Sequence, residues 1–459
     1  MEDPSSYRKF HEKYLTNLQG SSVFEILCLL GTVLMVGFLS LYLRIRFKVD
    51  SPSSTFIVDV LTFICPCIAL LTIFNGQVLL WFCILAAGSI MIVINELFIN
   101  HSKVSVSSAM ESKVVVKKRS FITNFKSVIS LLTVICILAV DFTVFPLRHA
   151  KTETYGYSLM DTGVGFFIVS NGLTFNTRRI ENLVKKSLVA NVPLLILGLI
   201  RYASVEKIYY QKHATEYGVH WNFFFTLAFV KFLGAVLIAK MPRHSLTLAS
   251  TILAVHHAVL ETGVGDWVIS DAPRSDLLSA NREGIVSIPG YLSLYLASVG
   301  LGKWLVFSNG HSSCLKDELF KGLILLTGGA TSLSVLVAYD NVYLPSRRLA
   351  NLTFVLWIST LCLLVIGIIL IWEIVIILIS RRREVNIFPG ETVLTLEAIS
   401  ANNLLFFLVG NVLTGAVNMA VHTLLVTSTL SLLIILAYTV TTCAIVTYLY
   451  LKRLTLKFW

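Results

Sequence analysis

VISLLTVICILAVDFTVFPLRHAKTETYG, Val128 to Gly156, poses the choice on which the fold turns. An apolar run from Val128 to Val140 stops at Asp141. Arg148, His149, Lys151 and Glu153 then follow around Phe145-Pro146. One reading is a membrane helix that ends in a solvated loop. The other is a reactive site at a membrane surface.

Working outward, the apolar run proves to be one of many. Hydrophobic residues make up 56% of the 459 and charged residues only 14%, against roughly 25% charged in a soluble globular chain. Apolar stretches of about 18 or more residues recur from end to end, each long enough to cross ~30 Å of hydrocarbon. The reading is all-α: a polytopic integral membrane protein of about thirteen transmembrane helices, forming one domain over 1–459 with no sizeable soluble part. The spans fall near 24–43, 55–74, 77–99, 121–141, 157–175, 188–204, 219–239, 244–260, 284–300, 319–338, 350–380, 398–420 and 425–451. The 350–380 run is long enough to tilt or kink. The N-terminal segment 1–23 lacks the basic-then-apolar pattern of a cleaved signal, so the first span reads as a signal-anchor. The eight cysteines show no CxxC pair and no zinc spacing. Cys65-Pro66-Cys67, inside a span, reads as packing.

Lys and Arg counted on alternate sides give 11 on the side of the N-terminus and 22 on the other, with Lys126, Arg201, Lys231 and Lys321 inside spans. The basic side is expected to be the cytosol, which puts the N-terminus in the lumen and the C-terminus in the cytosol. The net charge of +11 then reflects cytosolic loops, 100–120 and 381–397 among them, and does not point to nucleic acid. Every motif with mixed, closely spaced polar residues falls on the lumenal side: DFTVFPLRHAKTETYG, EKIYYQKHATEYGVHWN, SANREG and SRRLANL. Asp161, Arg201, His220, Asn222 and Asn418 lie at the lumenal ends of neighbouring spans. Polar groups at membrane depth face cavities or partners, so one shared polar cavity near that surface is expected.

These motifs resemble those of the glycosylphosphatidylinositol (GPI) inositol-acyltransferase family. The carriers are VDFTVFPLRHAKTETYGYSLMDTGVG, HATEYGVHWNFFFTL, SANREGI, SRRLANLTFVLW, LLFFLVGNVLTGAVNM and the closing LKFW. They occur in the family's order over essentially the whole chain; the pattern departs at Leu147, where the family has a first arginine. The resemblance implies a multi-pass enzyme of the endoplasmic reticulum membrane. Such an enzyme moves a palmitoyl-type chain from acyl-CoA, a co-substrate, to the inositol 2-hydroxyl of glucosaminyl-phosphatidylinositol. No cofactor, metal or obligate protein partner is expected; membrane lipids surround it.

Ester formation from a thioester needs a base for the attacking hydroxyl and stabilisation of the thioester oxygen. No GxSxG elbow and no cysteine beside a basic histidine is present, which favours direct attack over an acyl-enzyme. Asp141, at a span end and at the centre of the family motif, is the expected base. Lys151 is expected to pair with Asp141, polarise the carbonyl or neutralise phosphate. His220 is the rival base, since histidine titrates near neutral pH, with Glu216 as its orienting partner. Asp161, Arg201 and Asn222 are expected to line the cavity. Arg148, Asn281, Arg282, Glu283, Arg347 and Arg348 suit the lipid phosphate or amino sugar, because guanidinium grips phosphate bidentately. Asn418, with Asn411, Gly410 and Gly415, reads as a helix face for packing or substrate. The cytosolic Arg178, Arg179, Lys185, Lys186, Lys240 and Arg243 are candidates for coenzyme A phosphates. A transporter or flippase is the alternative; it predicts two related halves around a midplane site, whereas the polar groups crowd one surface and no repeat is evident. Asn100 and Asn351 head NxS/T sequons, the first in a cytosolic loop and the second at a span start.

Overall fold

The computed structural model describes residues 18–49, 51–99, 105–111, 113–115, 120–176, 181–207, 216–307, 312–339, 342–383 and 393–456, with Tyr7, His11, Lys13, Tyr14 and Thr16. Parts of the loops 100–120 and 381–397, together with Arg178, Arg179, His213 to Thr215, Asn100 and Trp459, lie outside the described residues.

Helices dominate because apolar runs in hydrocarbon must satisfy their own backbone groups. In chain order they are α1 (Val23–Phe47), α2 (Pro52–Leu71), α3 (Asn75–Ile99), α4 (Ser120–Ala139), α5 (Leu159–Leu173), α6 (Leu183–Lys207) and α7 (Phe223–Lys240). There follow α8 (Ser245–Val259), α9 (Arg282–Leu305), α10 (Leu315–Tyr339), α11 (Leu352–Arg382), α12 (Leu394–Ala401), α13 (Asn403–Ala420) and α14 (Ser428–Leu451). Among the described residues, 11 helices are long and apolar enough to cross a membrane. The expected fifth and eighth spans appear as shorter helices, α5 and α8, of 15 residues each. α5 starts late because the chain before it stays extended: Tyr157 bridges Ser21, and Ser158 caps the helix at Asp161 N. α8 runs into a distorted turn in which Gly263 takes φ 96°. The 350–380 run, long enough to tilt or kink, forms a single continuous helix. α11 is one 31-residue helix of about 46 Å, and it carries Arg381 and Arg382 past the apolar layer.

α4 is the hub. It packs against α5, α11, α12, α13 and α14, and 72% of its apolar window is buried, against 11% for α3 on the rim. α10 and α11 form the tightest antiparallel pair, α6 packs on α7, and α9 bridges α5 and α8. α2 passes through a π-turn, Val60–Ile64, next to Pro66, which has no N–H to donate. Cys67 is fully buried there, as packing requires.

The ends of the bundle sort as the alternation of loops requires. At one end Ser346 donates to Thr154 O, Gly156 N to Pro345 O, Gly284 N to Tyr217 O and Val219 N to Ala280 O. At the other, Arg383 Nε donates to Glu96 at 2.9 Å, Arg381 donates to Ala109 O, and a two-stranded ribbon pairs β1 (Lys113–Val115) with β2 (Ser312–Cys314).

Candidate active site

The loop after α4 folds as a tight turn and then a short 3-10 helix, Leu147–His149, behind Pro146. Asp141, 4% exposed, sits at its start. Its Oδ2 accepts from Asn418 Nδ2 of α13 at 2.7 Å, and its Oδ1 lies 3.4 Å from His11 Nε2. Tyr7, one helical turn before His11, stacks on His422 at 4.4 Å, and its hydroxyl accepts from Leu424 N. Tyr7 and His11 therefore lie against the α13–α14 connection and Asp141 respectively. Sequence reasoning missed His11 and Tyr7, since nothing local links them to residues more than a hundred positions away.

Lys151 does not pair with Asp141. Its Nζ lies 2.9 and 3.1 Å from the two oxygens of Glu216. Glu216 is thus committed to Lys151 and does not orient His220, whose ring meets Tyr202 edge-on while its backbone N donates to Asn281 Oδ1. Burial alone would push the Glu216 carboxyl up. Lys151 and Arg347 beside it, with Arg201 further off, hold it down at about 2.

The remaining expected residues form a packed frame. Arg347, 3% exposed, donates from Nε to Asp161 Oδ1 at 2.7 Å. Asp161 Oδ2 accepts from Thr152 N and Oγ1 at 3.0 and 2.6 Å. The Arg347 guanidinium also lies 5.4 Å from the Tyr217 ring centre. Burial pushes the Tyr217 hydroxyl up to about 12. For Arg347, burial opposes the charge, but Asp161 overrides it and raises the guanidinium above its ordinary value. Glu283 accepts from Arg348 at 3.0 Å and from Arg274 at 3.1 Å, while Arg282 donates to Ala272 O and Ser270 O and stacks on Trp267. The expectation that Arg282, Glu283, Arg347 and Arg348 face a lipid phosphate is corrected accordingly. Their groups are buried and taken up by each other, by Asp161 and by backbone carbonyls. Asn222 caps α7 and donates to Gly198 O; Asn281 donates to Leu277 O. Of the expected binding cations, Lys151, Arg148 and Arg201 keep exposed surface. Arg148 bonds Glu25 at 2.7 Å and Asn75. Lys185, Lys186, Lys240 and Arg243 are exposed at the opposite end of the bundle. Beside Arg148, His149 is fully buried, and that burial pushes it down to about 4.

What these features define is a multi-pass α-helical membrane protein. A carboxylate, a lysine–glutamate pair and an arginine-tied frame gather at one end of its bundle. The sequence model of the GWT1 family matches residues 7–449, and the chain belongs to that family. It is 32% identical over 99% of its length to the glucosaminyl-phosphatidylinositol-acyltransferase PIGW of Bos taurus, covering 100% of that protein. To the Homo sapiens protein of the same name it is 30% identical, again over 99% of the chain and 100% of the relative. To the GPI-anchored wall transfer protein 1 of Gibberella zeae it is 31% identical, over 95% and 96%.

Proposed function

We propose that this chain is the acyltransferase of GPI-anchor biosynthesis in the endoplasmic reticulum membrane. It transfers a palmitoyl-type chain from acyl-CoA to the inositol 2-hydroxyl of glucosaminyl-phosphatidylinositol. Family membership supports the reaction class. The observation that carries the mechanism is the setting of Asp141: a buried carboxylate at a helix end, held by the neutral amide of Asn418 and facing an imidazole. Asp161 and Glu283 are each paired with a guanidinium, and Asp141 is not.

In this reading Asp141 takes the proton of the inositol hydroxyl as its oxygen attacks the thioester carbon. The C–O bond forms, the C–S bond breaks, and coenzyme A leaves as a thiolate that recovers the proton from Asp141. Lys151, held by Glu216 yet half-exposed, is the cation for the developing oxyanion or the acceptor's phosphate. The frame from Asp161 to Arg347 fixes the loop that carries both, so little reorganises during the reaction. The motif-bearing end is lumenal by the charge count, and the exposed basic end is the side from which a cytosolic acyl-CoA would arrive.

The test is purified protein in vesicles with palmitoyl-CoA and glucosaminyl-phosphatidylinositol, read as acylated lipid by mass. Asp141→Asn keeps an acceptor for Asn418 and is expected to lower turnover by about 10²–10⁴-fold, the range for a general base. Full activity in that variant would transfer the role to His220. No product with the unmodified chain, but translocation of lipid between leaflets, would replace the enzyme reading with the transporter one.

A further inference from the structure

Asn418 is tied on one side only. Its Nδ2 donates to Asp141, which fixes the amide orientation: the opposite one would set carboxamide oxygen against carboxylate oxygen. Its Oδ1 is buried and has no hydrogen-bond partner among the described residues. A buried acceptor left unmatched is unfavourable by about 1–3 kcal/mol, unless something that visits the site supplies the donor. Two further observations show where that donor would come from. Asn411, Gly415 and Asn418 lie on one face of α13 at i, i+4 and i+7. A Cβ at Gly415 would meet nothing within 4 Å, so open space borders the turn before Asn418. α13 itself is only 17% buried over its apolar window, although it carries four polar side chains, Asn403, Asn411, Thr414 and Asn418.

We propose that Asp141 and Asn418 together read two adjacent hydroxyls of the acceptor ring. The attacking hydroxyl donates to Asp141 and its neighbour donates to Asn418 Oδ1. This deepens the acyltransferase reading and rests on it for the identity of the acceptor. The phosphodiester occupies the ring carbon on one side of the 2-hydroxyl, so the neighbour is the free 3-hydroxyl on the other. A carboxylate and a carboxamide oxygen joined through one hydrogen bond present adjacent acceptors, the spacing that vicinal hydroxyls require. Gly415 leaves room for the ring.

The experiment compares glucosaminyl-phosphatidylinositol with its 3-deoxy analogue as acceptors. In parallel it measures equilibrium binding of the unreactive 2-deoxy and 2,3-dideoxy analogues, so that recognition is read without turnover. With the unmodified chain, removing the 3-hydroxyl is expected to lower kcat/KM and binding by at least about tenfold, the effect of one buried hydrogen bond. In Asn418→Ala the natural acceptor falls by a similar factor, and the penalty for lacking the 3-hydroxyl shrinks to less than about threefold. Gly415→Leu, which fills the space without touching Asp141, is expected to weaken binding of all four lipids alike. Equal use of the 3-deoxy acceptor by the unmodified chain overturns the proposal. So does a 3-deoxy penalty that survives intact in Asn418→Ala. If no acceptor is acylated but the 2-deoxy and 2,3-dideoxy lipids bind differently in the Asn418-dependent way, the acyl-transfer reading falls and this recognition stands.

Discussion

Arg347→Met is the most informative single change to the frame. The side chains of Arg347 and Asp161 are 2% and 4% exposed, and their 2.7 Å contact joins the loop before α11 to the first turn of α5. Methionine keeps much of the stem and removes the charge. Asp161 then retains the two Thr152 bonds but has lost its cation in a buried setting. Removing one partner of such a pair is unfavourable by about 3–5 kcal/mol, and the cation–π contact with Tyr217 adds roughly 0.5–1. That is a large share of the 5–15 kcal/mol that holds an ordinary fold. Asp161→Asn is expected to be nearly as damaging. Its carboxamide oxygen can take over the Thr152 bonds, but its NH2 then faces the Arg347 Nε–H, donor against donor. In the double variant neither charge remains, and the expected loss is that of one unmatched amide, about 1–3 kcal/mol. The assay is thermal unfolding of the detergent-solubilised protein followed by size-exclusion chromatography, arranged as a double-mutant cycle. Strong non-additivity is expected, with the double variant more stable than either single one. A single variant that melts like the unmodified protein, or losses that simply add, would refute the account of the frame.

Four further outcomes follow from the same geometry. His149 is held neutral with its value near 4, while the unfolded chain titrates near 6.5. The unfolded state therefore binds the extra proton first as pH falls. Stability should drop between about pH 6.5 and 4, by on the order of 3 kcal/mol, and level off below; melting curves of His149→Gln should be flat across that window. Glu216 runs the same way lower down: its contribution is complete above about pH 4.5 and is lost as pH falls toward 2. Lys151→Met should reduce kcat/KM by tenfold or more, and Glu216→Gln, which frees the lysine without removing it, should reduce it less. Asn351 caps α11, accepting from Ser346 N and Phe354 N and donating to Leu344 O. Endoglycosidase should leave the gel mobility of the protein unchanged, and Asn351→Ala should destabilise it by about 0.5–2 kcal/mol.

The spans were legible because each needs only a local property, an apolar run of sufficient length. The convergence of the polar motifs was legible too, because loop alternation carries them all to one end. The partners within that end were not. Lys151 has Asp141 ten residues away and Glu216 sixty-five away, and it takes the distant one, because the chain between Asp141 and Lys151 turns through the 3-10 helix. Asp161 read as a cavity residue, yet Thr152 and Arg347 absorb it. Asn418 read as part of a face for packing or substrate, and its amide bonds Asp141. In each case sequence gave the chemical type and only the fold gave the partner. His11 shows the limit most sharply, since its neighbour lies 130 residues on along the chain.

The division of labour among the charged groups follows from burial. Arginines paired with Asp161 and Glu283 inside the protein cannot regrip a substrate without leaving those carboxylates unpaired, which is strongly unfavourable. Arg282, Arg347 and Arg348 therefore hold loops, and work on the substrate passes to groups with spare capacity: Asp141, with a neutral partner; Asn418, with an unmatched oxygen; and Lys151, with exposed surface. Asp141 opens the loop after α4, and Asn418 lies on α13, which packs directly on α4. The third is carried by the loop that Asp161 and Arg347 pin down. The ion pairs thus fix the loops at this end of the bundle, while one face of α13 is left open beside Asn418.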